Sequence, residues 1–122
     1  METTSINREA LKQRCKAFAL RVMKLADSLP AKPSGRAVAS QIVRSGTSVA
    51  ANYSAAQRAR SKAEFTAKVG VSLEEADETS FWLELLQESG LMATDRIADL
   101  RREADELTAI FYTIIRSAKR NP

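Results

Sequence analysis

The sequence predicts an all-α chain folded as an antiparallel up-down four-helix bundle that works as a subunit of an oligomer. Three observations carry this. Apolar residues recur at spacings of three and four in four long segments. No segment alternates with period two, as a half-buried strand would. The 122 residues include only three Pro and four Gly, which suits long uninterrupted helices.

The first helix is predicted from about Ile6 to Ser28, on the stripe Leu11, Cys15, Phe18, Val22, Leu25 and Leu29. Pro30 and Pro33 then break the pattern by removing backbone donors. A second helix is predicted from about Gly35 to Arg58, with Ser34 as its N-cap. Its stripe is Val38, Ile42, Ser45, Val49, Asn52 and Ala56, poor in large residues, so another helix can approach closely. The third helix, 62–89, opens on a capping box in which the Ser61 hydroxyl and the Glu64 carboxylate satisfy each other's amides. Its stripe is Phe65, Val69, Ser72, Ala76, Thr79, Leu83 and Leu86, and Gly90 supplies a left-handed stop. The fourth helix, 94–118, repeats Ile97, Leu100, Ala104, Leu107, Phe111, Ile114 and Ala118. The short connections favour antiparallel neighbours. A chain of this length forms one domain, 1–122.

Composition excludes several chemistries. There is no histidine, so no Ser-His-Asp or Cys-His pair can form, and the Glu-x-x-His ligands of di-iron bundles are missing. Zinc would need one Cys and carboxylates. The single Cys15 lies on the apolar stripe and reads as buried filler. The expectation is therefore no catalytic set, no metal and no cofactor. No apolar run reaches a membrane span, and the N-terminal residues lack the apolar core of a signal peptide, so a cytoplasmic location is expected.

Charge is divided along the chain. The net is +4, yet residues 8–62 carry twelve basic and two acidic side chains, whereas 63–106 carry four basic and twelve acidic. The two halves can attract each other or leave a basic face for a polyanion. On the first helix Arg8, Lys12, Arg14, Lys16, Arg21 and Lys24 are candidate phosphate contacts, joined by Arg58, Arg60 and Lys62 at the second turn. No aromatics interleave to stack on single-stranded bases. A solvated surface is the competing reading.

Counting back from a turn near residue 60 sets Arg44 opposite Asp77 and Glu78, a structural ion pair. Asn52 on the apolar stripe reads as a register-setting amide. The acidic run Glu74, Glu75, Asp77, Glu78, Glu84, Glu88 reads as a solvated face or a partner for arginines. The segment Phe81-Trp82-Leu83-Glu84-Leu85-Leu86 carries more apolar surface than one stripe needs. Phe81 and Leu85 project about 160° from Leu83 at 100° per residue. Phe81, Trp82 and Leu85 are thus candidates for a subunit interface, with a similar widening at Ile110 and Ile115. Burial beneath the ends of the bundle is the alternative.

The stretch Ser40-Gln41-Ile42-Val43-Arg44-Ser45-Gly46-Thr47-Ser48-Val49-Ala50-Ala51-Asn52-Tyr53, the run from Arg58 to Phe65, and the run from Glu74 to Leu86 resemble the bacterial four-helix-bundle proteins called 23S rRNA-intervening-sequence proteins. That family includes the accessory variability protein of diversity-generating retroelements. The likeness spans about residues 11–118, with its specific signal in 40–86. It implies an antiparallel four-helix bundle assembled as a ring-like homopentamer, which gives the second apolar stripe a purpose. In the retroelement subgroup a basic pentamer surface binds nucleic acid and a reverse transcriptase. The matching positions Gln41, Arg44, Ser48, Asn52, Arg58 and Glu75 look like fold or assembly determinants. The expected function is non-enzymatic binding of RNA or DNA through a basic face, with a nucleic-acid enzyme such as a reverse transcriptase as a further partner. The alternative is a protein-interaction scaffold with no nucleic-acid role.

Overall fold

A computed structural model describes residues 8–121, which form four α-helices and no strand. They are α1 (Arg8–Asp27), α2 (Pro33–Ala56), α3 (Lys62–Ser89) and α4 (Thr94–Arg120). The predicted start of the first helix at Ile6 lies outside the described residues.

The helix ends follow local chemistry, with two corrections. Helix α2 begins at Pro33, not Gly35, with Lys32 as a N-cap that makes no side-chain capping bond. Proline suits a first helical position because its missing N–H would have no partner there. Ser34 therefore lies inside the helix. At α3, Ser61 accepts from the Glu64 amide at 3.0 Å, as a capping serine should. The Glu64 carboxylate, however, accepts from the Arg60 amide, one residue before Ser61, so the reciprocal half of the box is displaced. Gly90 ends α3 with φ of 74°, where a side chain would be strained.

Three interfaces join neighbours in the chain, α1 to α2, α2 to α3 and α3 to α4, while α1 and α4 meet only sparsely. Across α2 and α3 the Ser45 and Thr79 hydroxyls lie 2.8 Å apart, and Ser72 donates to the Val49 carbonyl at 2.9 Å. Across α3 and α4, Ser80 donates to Asp105 and Arg101 to Gln87. Ser45, Ser72 and Thr79 are fully buried and each hydroxyl is hydrogen-bonded, so small polar residues bring α2 against α3 without orphaned groups. Gly46 serves the α1–α2 contact: a Cβ there would stand 2.8 Å from Val22 Cγ1.

The core is the predicted stripes with a local shift. On α4 the residues Ile97 through Ile114 of the stripe are buried, and on α3 Val69 through Leu86. On α2 the predicted Ile42, Ser45, Val49 and Ala56 are buried, joined by Gly46 beside Ser45 and by Tyr53 in place of Asn52, while Asn52 and Val38 are only half-buried. Tyr53 sets its ring 5.9 Å from that of Phe111. The Asn52 amide bonds one turn back to Ser48, through its carbonyl and its hydroxyl, and so ties α2 to itself instead of fixing register across helices. Cys15 is buried, and burial pushes its thiol up to about 12, so it is an inert core residue.

Candidate nucleic-acid interface

The nine basic candidates do not form one face. They separate into an end cluster, a neutralised residue, a flank and a groove.

The end cluster is built by three helix termini. Arg8 starts α1, Arg58 and Arg60 lie in the turn after α2, and Lys62 starts α3; all four are exposed. Arg8 is near enough to the Tyr53 phenol to act on it electrostatically, and Tyr53 packs on Phe111 of α4. Beyond Phe111, α4 runs on toward Arg116, Lys119 and Arg120, which carries them to the same end as Arg58 and Arg60 at about 1.5 Å per residue. Arg116 lies over the exposed Tyr112 ring at 5.8 Å, a cation–π arrangement. Glu9 and Glu64 are the nearby acids, and Glu64 is 3.9 Å from Arg60. No acidic residue follows Glu106 in the sequence. That one-sided composition is the signal that would have added Arg116, Lys119 and Arg120 to the set.

Arg14 is spent elsewhere. It binds Glu103 at 2.6 and 2.8 Å and Glu106 at 2.6 Å, bridging α1 to α4. These bonds, with Glu103 contributing most, raise its already high pKa; the same guanidinium holds the Glu103 carboxyl below the usual range. Lys12 is half-buried and Lys16 exposed, and neither reaches the α4 acids that Arg14 binds. Arg21 and Lys24 line a groove with Arg96 of α4.

The polar crossing of α2 and α3 also differs from expectation. Arg44 pairs with Glu75 at 3.3 Å and with Glu78, while Asp77 is exposed and outside the pair. Helical geometry decides this: Glu75 and Glu78 lie three apart on the face toward α2, and Asp77 points 100° or more from either. Gln41 accepts from Arg44, so two of the quoted motif positions meet here with Glu75. The Trp82 indole donates to Glu78 at 3.1 Å, and together with Arg44 it lowers the Glu78 pKa. The crossing is a satisfied ion-pair network. Among the described residues no three acidic or Cys side chains converge as metal ligands.

The apolar candidates also divide. Trp82 packs half-buried against the core, as do Ile110 and Ile115. Phe81 and Leu85 remain 51% and 38% exposed, one turn apart on α3, with Trp82 edge-on to Phe81 at 5.1 Å.

Comparison with known proteins agrees with this architecture. The family profile described as 23S rRNA-intervening sequence protein matches residues 9–113. The chain belongs to that family. Among solved structures, this member of the 23S rRNA-intervening sequence proteins is similar to a protein of unknown function from the S23 ribosomal protein family of Bacteroides thetaiotaomicron. The two are 31% identical with a TM-score of 0.84, over 90% of this chain and 98% of that one. No curated protein matches the chain. No helix among the described residues is long and apolar enough to cross a membrane.

Proposed function

We propose that this chain is a non-enzymatic, cytoplasmic, antiparallel up-down bundle that acts as a homo-oligomer subunit and binds RNA or DNA through phosphate contacts at its basic end. The observation that carries the reading is the gathering of Arg8, Arg58, Arg60 and Lys62 at one end, extended by Arg116, Lys119 and Arg120. Exposed cations of this kind suit phosphate contact without sequence readout. A nucleic-acid enzyme such as a reverse transcriptase is the further partner that the family likeness suggests. The test is anisotropy of an unspecific RNA titrated at several salt concentrations. Binding should weaken steeply with salt, and Arg58→Gln with Arg60→Gln should reduce the log–log slope by about 1.4, at ~0.7 per phosphate contact on a single strand. No detectable affinity at low ionic strength overturns the reading.

The exposed Phe81 and Leu85 favour self-association, and a ring-like homopentamer is the form the likeness suggests. They equally suit the second reading, a protein-interaction scaffold without a nucleic-acid role. Mass measured in solution tests the oligomer. Phe81→Glu or Leu85→Glu should lower the mass while the helical signal persists; a wild-type monomer at micromolar concentration sinks the idea.

A further inference from the structure

The sparse contact between α1 and α4 opens a groove of about 220 Å³ lined by Arg21, Lys24, Leu25, Arg96, Asp99 and Leu100. Its charge is unbalanced. Arg21 and Lys24 stand one turn apart on α1, and Arg96 faces them from the first turn of α4, 3.5 Å from the Ser28 hydroxyl. The one lining carboxylate, Asp99, is engaged by Arg102 on its own helix. Glu103, which also feels Arg21, is held by Arg14 with two hydrogen bonds. Leu25 and Leu100 are almost fully buried and form an apolar floor, which keeps a bound anion near its counter-charges and away from bulk water on one side. Helix α4 begins here without a side-chain cap, and Asp95 in its first turn offsets part of the positive helix end, so the binding field comes from Arg21, Lys24 and Arg96.

We propose that this groove is a phosphoryl-binding site, in which Arg21, Lys24 and Arg96 hold the oxygens of one phosphate group. Two guanidinium forks and one ammonium give donors from two helices to a tetrahedral anion, in the charge-assisted geometry that arginine favours. A bound phosphate would also bridge α1 and α4 where the protein itself joins them least. The site is separate from the basic end and stands or falls independently of nucleic-acid binding there.

Inorganic phosphate is the probe, compared with chloride at matched ionic strength on the full chain. Methyl signals of Leu25 and Leu100 should shift with saturation, and the melting temperature should rise with phosphate. Lys24→Gln with Arg96→Gln should weaken binding by about a hundredfold, since two charge-assisted bonds worth ~1.5 kcal/mol each are lost. Both side chains are exposed, so the variant should fold, as its circular dichroism will show. The charge-preserving Lys24→Arg with Arg96→Lys should keep binding within a few-fold. Arg58→Gln with Arg60→Gln should leave the Leu25 and Leu100 shifts unchanged whatever it does to RNA affinity. A short RNA that displaces phosphate identifies the source as a nucleic-acid backbone; an RNA that does not points to free phosphate or a small phosphorylated molecule. Shifts that are absent against chloride, or that persist in the Gln double variant, overturn the proposal.

Discussion

Glu103 on α4 is held by Arg14 on α1 through two hydrogen bonds of 2.6 and 2.8 Å, at the interface where the helices otherwise touch least. Arginine and carboxylate meet there with both oxygens engaged, the strong form of this pair. The pairing realises the charge division of the sequence, with a basic first half drawn onto an acidic second half.

The first prediction concerns acid. Glu103 titrates below the usual carboxylate range in the folded protein because Arg14 stabilises its charge, and near about 4.3 when unfolded. Its contribution to stability is therefore complete above the unfolded value and is lost as pH falls through the folded one. Glu103→Gln should cost about 1 kcal/mol at pH 7 and flatten the loss of stability below about pH 5. Urea titrations of both proteins across pH 2–7 check this.

A second prediction tests the close approach of α1 and α2. Gly46→Ala gains helix propensity of about 1 kcal/mol but sets its Cβ against the Val22 side chain. Overpacking of this kind costs about 1–3 kcal/mol, so the net should be destabilising. Val22→Ala should be tolerated better in the Gly46→Ala background than alone. A thermodynamic cycle by urea unfolding measures that coupling.

The hydroxyl pair between α2 and α3 supplies a third. Thr79→Val leaves the buried Ser45 hydroxyl with only a long 3.4 Å contact to the Ile42 carbonyl. The single change should destabilise by about 1–2 kcal/mol. Adding Ser45→Ala removes the stranded group and should recover part of the loss, as thermal melts will register.

Cys15 gives a fourth. Its thiol is fully buried and pushed up to about 12. A thiol reagent at pH 8 should modify the native protein more slowly than the unfolded chain by a factor on the order of 10³ or more. Labelling in increasing urea should then follow global unfolding, which makes Cys15 an internal reporter.

The sequence shows the fold more plainly than the site. The stripe of α4 is visible because its large apolar residues are separated by charged ones, and each turn repeats the choice. Tyr53 is hard to see because, between Val49 and Ala56, a residue three on (Asn52) and a residue four on (Tyr53) fit the helical spacing equally well. Ser45 and Gly46 are both small and both buried, so neither marks the centre of the buried face. The Arg44 pair was legible to within a turn, but counting from a bend cannot tell Asp77 from Glu75, because that depends on helix rotation. The basic residues of α1 were visible as a set. Their division among Arg14, bound to α4, the groove pair Arg21 and Lys24, and the flank pair Lys12 and Lys16 depends on what packs beside them. Arg96 belongs to the acidic half of the sequence, and only the fold carries it across to two cations of the basic half.

The meagre contact between the first and last helices has a consequence for how the chain is made. Nearly all stabilising pairings join segments adjacent in order, so little loop entropy must be lost before contacts form, and topology of this type folds in about microseconds to milliseconds. Synthesis runs from the N-terminus at about 5–20 residues per second. Each pair of successive helices can therefore pack as its second helix emerges. A nascent chain of this protein does not wait for its own end.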